Sequence, residues 1–252
     1  MRTLRLALEY DGTDYRGFGI QPAAPTIQGA LEAALAPTLG HAVRVTAGGR
    51  TDSGVHAVGQ VVSLQTSSRL DTDAVRRATN ARLPRDILVR AAAEAPLEFD
   101  ARRSALWRRY CYSIWRDAEP NIWWRRYCYH LAAPLDTRAM RRASRYLLGR
   151  HDFAAFATHQ AQANPGSTIR TVYRADWHCA GALWHFEVVA NGFLRHMVRS
   201  MVGTLLAVGR RELAPAEVGT ILERGDRRLA GPTVPAAGLT LMQIAYSTSA
   251  RA

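Results

Sequence analysis

The chain has 252 residues, of which 48% are hydrophobic, enough to form the core of one large domain or two ordinary ones. Its 33 basic residues, all arginine, outnumber 21 acidic ones, and the net charge of +12 predicts an anionic partner. The absence of lysine excludes a lysine Schiff base and a P-loop lysine, and three cysteines without C-x-x-C spacing argue against disulfides and a zinc site.

The first half of the chain predicts the order β-α-β-α-β. Residues 4–10 alternate as a strand does, and the turn signal DGTDYRG follows them. Thr26 has the position of a helix N-cap, and Asp71 opens a second helix. The remaining predicted elements are a helix with Ile27, Ala30, Leu31, Ala34 and Leu35 on one face, a strand at 56–66, a helix at 71–81 and a strand at 86–93.

The second half repeats this mixture of strands and helices. We therefore expect two α+β domains, residues 1–104 and 105–252, with no long linker between them. No apolar run approaches the ~18 residues of a membrane span, and the first ten residues are too weakly apolar for a signal peptide, so we expect a cytoplasmic protein. The predicted strands are 107–116, 170–178, 182–190 and 238–246, and the predicted helices are 136–148, 194–208 and 215–224.

One hexapeptide, WRRYCY, occurs twice, at Trp107–Tyr112 and at Trp124–Tyr129. Its aromatic residues and its spacing predict the two arms of a long hairpin rather than a functional duplication. The interleaved rings and arginines also suit contacts to RNA bases and phosphates, although core aromatics on a strand account for most such residues.

A polar stretch, AGGRTDSGVHAVGQ at 47–60, lies between two apolar segments. Glycine at this density marks backbone that needs positive φ or a close approach by another group. Spacing alone favours Asp52 as the cap of its own turn. Arg50 argues for a second role, because a nearby guanidinium stabilises an ionised carboxylate that can act as a nucleophile or base.

The predicted helix at 194–208 has an apolar stripe, with Arg195 and Arg199 one turn apart on another face. A solvated pair is the default interpretation of these arginines. The histidines and acids have no H-x-x-x-H or D-x-D spacing typical of a metal site. The residues alone thus predict a basic α+β protein of two domains that binds RNA or DNA.

Stretches along nearly the whole chain resemble the tRNA pseudouridine synthase A family. The G-R-T-D-x-G-V-H-A core is highly specific to these enzymes and outweighs the turn-cap interpretation of Asp52. One departure is visible: the family commonly has G-W-Q after its first turn, where Gly17-Phe18-Gly19-Ile20-Gln21 stands here, so RNA contacts near that turn are expected to differ. The matching stretches are LEYDGTDYRGF, TIQGALEAAL, AGGRTDSGVHAVGQV, NARLPRDI, FDARRSALWRRYCY, LLGRHDFAAF, NGFLRHMVRSMVGTLLAVG and VPAAGLTL.

The resemblance implies roles for five residues. Asp52 stands at the family's catalytic aspartate and Arg50 at its substrate-guiding arginine. Tyr110, after an A-R-x-S-A-x-x-R-R pattern, stands at the tyrosine that stacks on the target uracil, and its counterpart in the second hexapeptide does not. Arg199, in H-M-V-R, stands at the salt-bridging basic residue, and Leu239, in G-L-T-L, at the apolar residue that packs on the base.

The implied reaction is the isomerisation of uridine to pseudouridine. The N1–C1′ bond breaks, the detached base turns and C5 joins C1′, so we expect neither a cofactor nor a metal. Whether Asp52 attacks the base, attacks C1′ or removes a sugar proton stays open at this point.

The resemblance also implies a substrate, an assembly and a fold. The substrate is uridine at positions 38, 39 and/or 40 of the tRNA anticodon stem-loop, and the assembly is a homodimer across which one tRNA lies. The fold is α+β, with two RNA-recognition-like, ferredoxin-like units whose mainly antiparallel sheets flank a central basic cleft.

Two other functions compete with this one. A non-catalytic RNA-binding protein, such as a tRNA folding chaperone, would have no need of Asp52, Tyr110 and Arg199 together. A metal-dependent nuclease would need clustered carboxylates, which the sequence pattern does not show.

Overall fold

A computed structural model describes residues 1–158 and 168–247, and its fold class is α+β. The described residues divide into two compact units, one formed by Met1–Leu106 with residues 240–247 and the other by the described part of Trp107–Leu239. The last strand thus lies with the first unit, although the sequence pattern assigned 105–252 to the second domain. The pattern of a strand shows which face is buried and not which sheet it joins.

The first unit contains a sheet whose strands lie in the order β4 (Ile87–Ala95), β1 (Arg2–Tyr10), β3 (His56–Thr66) and β10 (Leu239–Ala245). Strand β1 runs antiparallel to β3 and to β4, whereas β10 runs parallel to β3 with Thr240 opposite His56. A two-residue strand, β2, pairs with β3 and was not predicted. The elements are β1 (Arg2–Tyr10), α1 (Ile27–Leu39), β2 (Thr46–Ala47), β3 (His56–Thr66), α2 (Thr72–Asn80), β4 (Ile87–Ala95) and β10 (Leu239–Ala245).

Local sequence signals explain why these elements begin where they do. The Thr26 hydroxyl accepts from Gly29 N at 3.2 Å and the Asp71 carboxylate accepts from Asp73 N at 2.8 Å, so both predicted N-caps are confirmed. The buried face of α1 includes the predicted Ile27, Leu31, Ala34 and Leu35, whereas Ala30 is only half-buried.

The second unit contains three α-helices and an antiparallel sheet whose strands lie in the order β5 (Trp107–Trp115), β9 (Leu183–Ala190), β8 (Ile169–Ala180) and β7 (Gly149–Asp152). Short 3₁₀ turns follow α3 and precede β10. The elements are β5 (Trp107–Trp115), β6 (Tyr129–His130), α3 (Thr137–Ser144), β7 (Gly149–Asp152), β8 (Ile169–Ala180), β9 (Leu183–Ala190), α4 (Met197–Gly209) and α5 (Glu217–Arg224).

Two predictions for the second unit were wrong in detail. The second copy of WRRYCY does not form a hairpin arm: most of it is a turn, and Tyr129–His130 pairs parallel to β5. Helix α4 begins at Met197 because His196 has φ +64°, so Arg195 precedes the helix. The first error arises because pairing with β5 overrides the local pattern, and the second because a left-handed residue does not continue an α-helix.

Helix α4 fits closely against the chain segment that leads into β10. A Cβ on Gly203 would lie 1.7 Å from Pro232 O, so only glycine allows this approach. The Thr204 hydroxyl accepts from Gly231 N at 2.8 Å. No helix within 1–158 and 168–247 is long and apolar enough to span a membrane.

Candidate active site

Asp52 lies on a short loop between β2 and β3, residues 48–55, which we name the aspartate loop. The connection from β1 to α1 holds one flank of this loop through backbone contacts. Phe18 N donates to Thr51 O at 3.0 Å, and the Ser53 hydroxyl donates to Tyr15 O at 3.1 Å. These long-range bonds fix the backbone on both sides of Asp52.

Two glycines let the β1–α1 connection approach the aspartate loop. A Cβ on Gly12 would lie 2.0 Å from Val55 O, and one on Gly17 would lie 2.8 Å from Thr51 O. Gly17 also has φ +90°, which other residues rarely adopt. The sequence signal DGTDYRG therefore encodes a contact surface for the loop as well as a turn.

A buried polar cluster holds the other flank of the loop. The Gln60 amide donates to Gly49 O at 2.6 Å and to the Tyr10 hydroxyl at 3.2 Å, and the Tyr10 and Thr51 hydroxyls lie 2.8 Å apart. Burial raises the pKa of Tyr10 to about 12, against the smaller opposing effect of these hydrogen bonds. The cluster is thus uncharged at neutral pH and acts as a rigid support.

The two side chains that the sequence singled out on this loop both reach the surface. Asp52 is half-buried between the buried Thr51 and Val55, and Arg50 is exposed. The Arg50 side chain packs over Gly19, where a Cβ would lie 3.7 Å from its Cδ and Nε atoms. The residue by which this chain departs from the G-W-Q pattern therefore touches the predicted substrate-guiding arginine.

His56 is a further residue of the motif, to which the sequence analysis gave no role. It is buried at the start of β3, and its Nδ1 lies 3.1 Å from both Gly12 N and Asp11 Oδ1. It thus joins the base of the aspartate loop to the turn after β1.

In the second unit, Tyr110 lies on β5 opposite Val188 and is buried. Its ring meets the edge of Phe193 with 5.1 Å between centroids and 84° between planes. The contact fixes the orientation of the Tyr110 ring and leaves it beside the loop that precedes α4.

Tyr112 lies two residues further along β5, on the same face as Tyr110. Its hydroxyl donates to Pro235 O at 2.8 Å, and its ring leaves no room for a Cβ on Gly238. Burial raises the pKa of Tyr112, and the positive charge of Arg199 opposes the increase. The Arg199 charge thus acts on this phenol from α4.

Arg199 on α4 is held by the segment that ends at Leu239. Its Nε donates to Val234 O at 2.7 Å, and Leu239 itself is buried. Tyr110, Arg199 and Leu239 are thus carried by β5, α4 and the 234–239 segment, which contact one another within the second unit.

The five predicted residues fall into two groups: Asp52 and Arg50 share the aspartate loop of the first unit, and the other three belong to the second unit. The supporting Tyr10 and Gln60 were not among the residues predicted from the sequence. Gln60 was detectable because it interrupts the otherwise apolar and glycine stretch at 57–62 of β3. Among 1–158 and 168–247, no cluster of three histidine, cysteine or acidic side chains could hold a metal ion.

Comparison with known proteins identifies the family. A family model described as tRNA pseudouridine synthase matches residues 6–102 and 143–247, which include Arg50, Asp52, Arg199 and Leu239. Tyr110 lies between the matched ranges. Among solved structures, a chain of an archaeal box H/ACA Nop10-Cbf5 complex aligns with 81% of this chain and with 43% of its own length. The TM-score is 0.36 and the sequence identity is 12%, so this likeness adds nothing to the assignment.

Curated relatives match almost the whole chain. A tRNA pseudouridine synthase A from Chloroflexus aurantiacus is 45% identical to this chain, and the alignment covers 98% of this chain and 89% of the relative's length. Proteins of the same name are 43% identical in Geobacillus kaustophilus, over 96% and 94% of the two chains, and in Moorella thermoacetica, over 98% and 100%. The chain belongs to the tRNA pseudouridine synthase family, whose members are isomerases.

Proposed function

We propose that the protein converts uridine to pseudouridine at positions 38, 39 and/or 40 of the tRNA anticodon stem-loop, with Asp52 as the catalytic residue. The observation that carries the proposal is the aspartate loop, whose backbone is fixed on both flanks while the Asp52 side chain stays half-exposed. A carboxylate on such a support needs little reorganisation to meet a substrate.

The other four residues bind and orient the nucleotide in this proposal. Tyr110 stacks on the uracil, Leu239 packs on the base and Arg50 guides the nucleotide. Arg199 supplies the positive charge of the family's salt-bridging residue. Extrusion of a stacked base costs a few kcal/mol, and one aromatic stacking contact returns about 1–3 kcal/mol. The aromatic and apolar contacts therefore offset most of the cost of flipping.

The reaction is balanced within the substrate. The N1–C1′ bond breaks, the base turns, C5 bonds to C1′, and the proton on C5 is lost while N1 gains one. Asp52 has three distinct ways to promote this exchange: attack on the base, attack on C1′ or removal of a sugar proton. Each of these three routes requires the Asp52 carboxylate, so its catalytic role does not depend on which bond forms or breaks first.

The proposal includes a homodimer that works in the cytoplasm, where tRNA is its partner. The net charge of +12 supports an extended contact with phosphates. One tRNA is large beside a single chain of 252 residues, which favours binding across two copies.

The test is tritium release from tRNA labelled at uracil C5. We expect the purified protein alone to release tritium, and excess EDTA to leave the amount unchanged. Replacing the uridines at positions 38, 39 and 40 by cytidine should reduce tritium release step by step. Tight binding without release would instead support a folding chaperone, and cleaved tRNA whose production EDTA stops would support a nuclease.

A further inference from the structure

The chain leaves β5 after Trp115 and returns beside it at β6, and we name the excursion 117–128 the tryptophan loop. Its two ends are joined. His130 Nε2 and Asp117 O lie 2.9 Å apart, and Leu131 N donates to Trp115 O at 2.9 Å. The loop lies in the part of the chain, 103–142, that the family model leaves unmatched.

Hydrogen bonds inside the tryptophan loop fix its backbone. The Asn121 side chain accepts from Trp123 N at 2.9 Å and from Trp124 N at 3.2 Å. Trp124 O in turn accepts from Tyr127 N at 2.8 Å and from the buried Cys128 thiol at 3.0 Å. The side chains at the tip are therefore presented by an ordered turn.

That turn exposes an unusual amount of aromatic surface. Trp123 is 87% exposed, Ile122 75%, Trp124 41% and Tyr127 38%. Contiguous exposed apolar side chains of this size mark a binding surface, because burial of an indole is strongly favourable. The neighbouring Arg125 is exposed as well, as is the residue after it.

The chemistry of the tip favours RNA as the occupant. Indole rings stack on unpaired bases, and adjacent guanidinium groups contact phosphates. The acids of the loop lie at its other end, where the Asp117 and Glu119 carbonyls bond to His130 and Trp115. A two-fold contact of the tip with a second copy would bring arginine pairs together, whereas a phosphate backbone neutralises them.

We propose that the tryptophan loop is a second RNA-contact surface, at which Trp123 stacks on an unpaired nucleotide of the tRNA and Arg125 contacts a phosphate. The inference rests on the proposed function only in taking tRNA as the substrate. It uses none of the five residues assigned to the reaction.

The experiment measures tRNA affinity, turnover and oligomeric state for variants of these exposed positions in the full chain. Trp123→Ala should raise Kd and KM roughly tenfold or more while kcat at saturating tRNA is unchanged, and Trp123→Phe should restore most of the affinity. Arg125→Ala should lower the slope of log Kd against log salt by about one. Arg224→Ala, which removes the same charge from the exposed end of α5, is the matched control and should change Kd less.

Three results would overturn the inference: wild-type affinity of Trp123→Ala, equal effects of Arg125→Ala and Arg224→Ala, or a shift of Trp123→Ala to a smaller assembly in sedimentation. The last would assign the tip to contact between copies of this chain. One further outcome is that the variants change tRNA affinity as expected while the wild-type protein forms no pseudouridine. In that case the proposed function fails and the RNA-contact surface stands.

Discussion

Asp52 differs from Asp73 and Asp226 in what holds it. Asp226 and Asp73 are fixed by arginines two to four residues away, and the Arg228 guanidinium lowers the pKa of Asp226 to about 2. Such exposed local pairs contribute little to stability. The backbone around Asp52 is instead bonded to Tyr15 and Phe18, more than thirty residues earlier in the chain, which is the arrangement expected when a side chain must be placed accurately.

Replacing Asp52 by Asn should abolish turnover in a folded protein. The amide keeps the size and most hydrogen bonds of the carboxylate but removes its charge and nucleophilic oxygen. We expect tritium release to vanish and tRNA affinity to persist or rise slightly, because one negative charge near phosphates is lost. Pseudouridine formed by this variant, with deamidation to Asp excluded by mass spectrometry, would show that another residue is the essential catalyst.

Tyr110 and Tyr127 occupy equivalent places in the two hexapeptides but opposite environments in the structure. Tyr110→Leu keeps an apolar side chain in the buried site and removes the aromatic face, so turnover should fall at least tenfold with the fold retained. Tyr110→Phe should retain most activity. Tyr127→Ala, in an exposed turn, should leave kcat unchanged; a fall in kcat for Tyr127→Ala alone would reverse the two assignments.

Helix and strand bounds were predictable from the sequence where local chemistry decides them. The caps at Thr26 and Asp71 and the bounds of β3 were predictable because side-chain capping and alternation act within a few residues. The parallel pairing of β6 with β5 was not predictable, since it depends on a separate segment of the chain. The late start of α4 was not predictable either, because it follows from the left-handed backbone of His196. Likewise, the motif identified the aspartate loop, but only the structure revealed the support from Tyr10 and Gln60.

The contact between the β1–α1 connection and the aspartate loop predicts contrasting effects of two glycine substitutions. Gly12→Ala places a methyl group 2.0 Å from Val55 O and should lower the free energy of unfolding by roughly 1–3 kcal/mol, together with kcat. Gly19→Ala meets only the flexible Arg50 side chain at 3.7 Å and should be nearly neutral for stability. Urea denaturation followed by circular dichroism measures both; equal midpoints would show that the close approach does not constrain the loop.

Each of the two units contains a buried group whose proton is held more tightly in the native protein than in the unfolded chain. Burial raises the pKa of Tyr10 from 10.0 to about 12 and that of the Cys111 thiol from 9.0 to about 11. The unfolded chain thus loses these protons at lower pH than the native protein does. Their contribution to stability is complete below about pH 9 and is lost as the pH rises toward 12.

We therefore expect the free energy of unfolding to fall steeply between pH 9 and 12. Tyr10→Phe removes one of these titrations and should flatten the decline, although it lowers stability at neutral pH by breaking the hydrogen bonds to Thr51 and Gln60. Urea titrations across this range provide the measurement. Parallel curves for the variant and the wild type would show that Tyr10 ionises equally in both states.

The arginine-rich composition predicts how binding depends on salt. A charge of +12 that meets a tRNA backbone releases condensed counterions, so log Kd should rise linearly with log salt, by about 0.7–0.9 per phosphate contacted. Asp52→Asn should follow the same slope as the wild type, because the carboxylate supplies chemistry and not phosphate contacts.

Sedimentation in parallel with the titration tests the dimer. If one tRNA spans two copies, the complex should contain two chains per tRNA at every salt concentration where binding is complete. A Kd that does not change with salt would contradict the electrostatic contact, and a fully active complex of one chain with one tRNA would contradict the dimer while leaving the catalytic role of Asp52 intact.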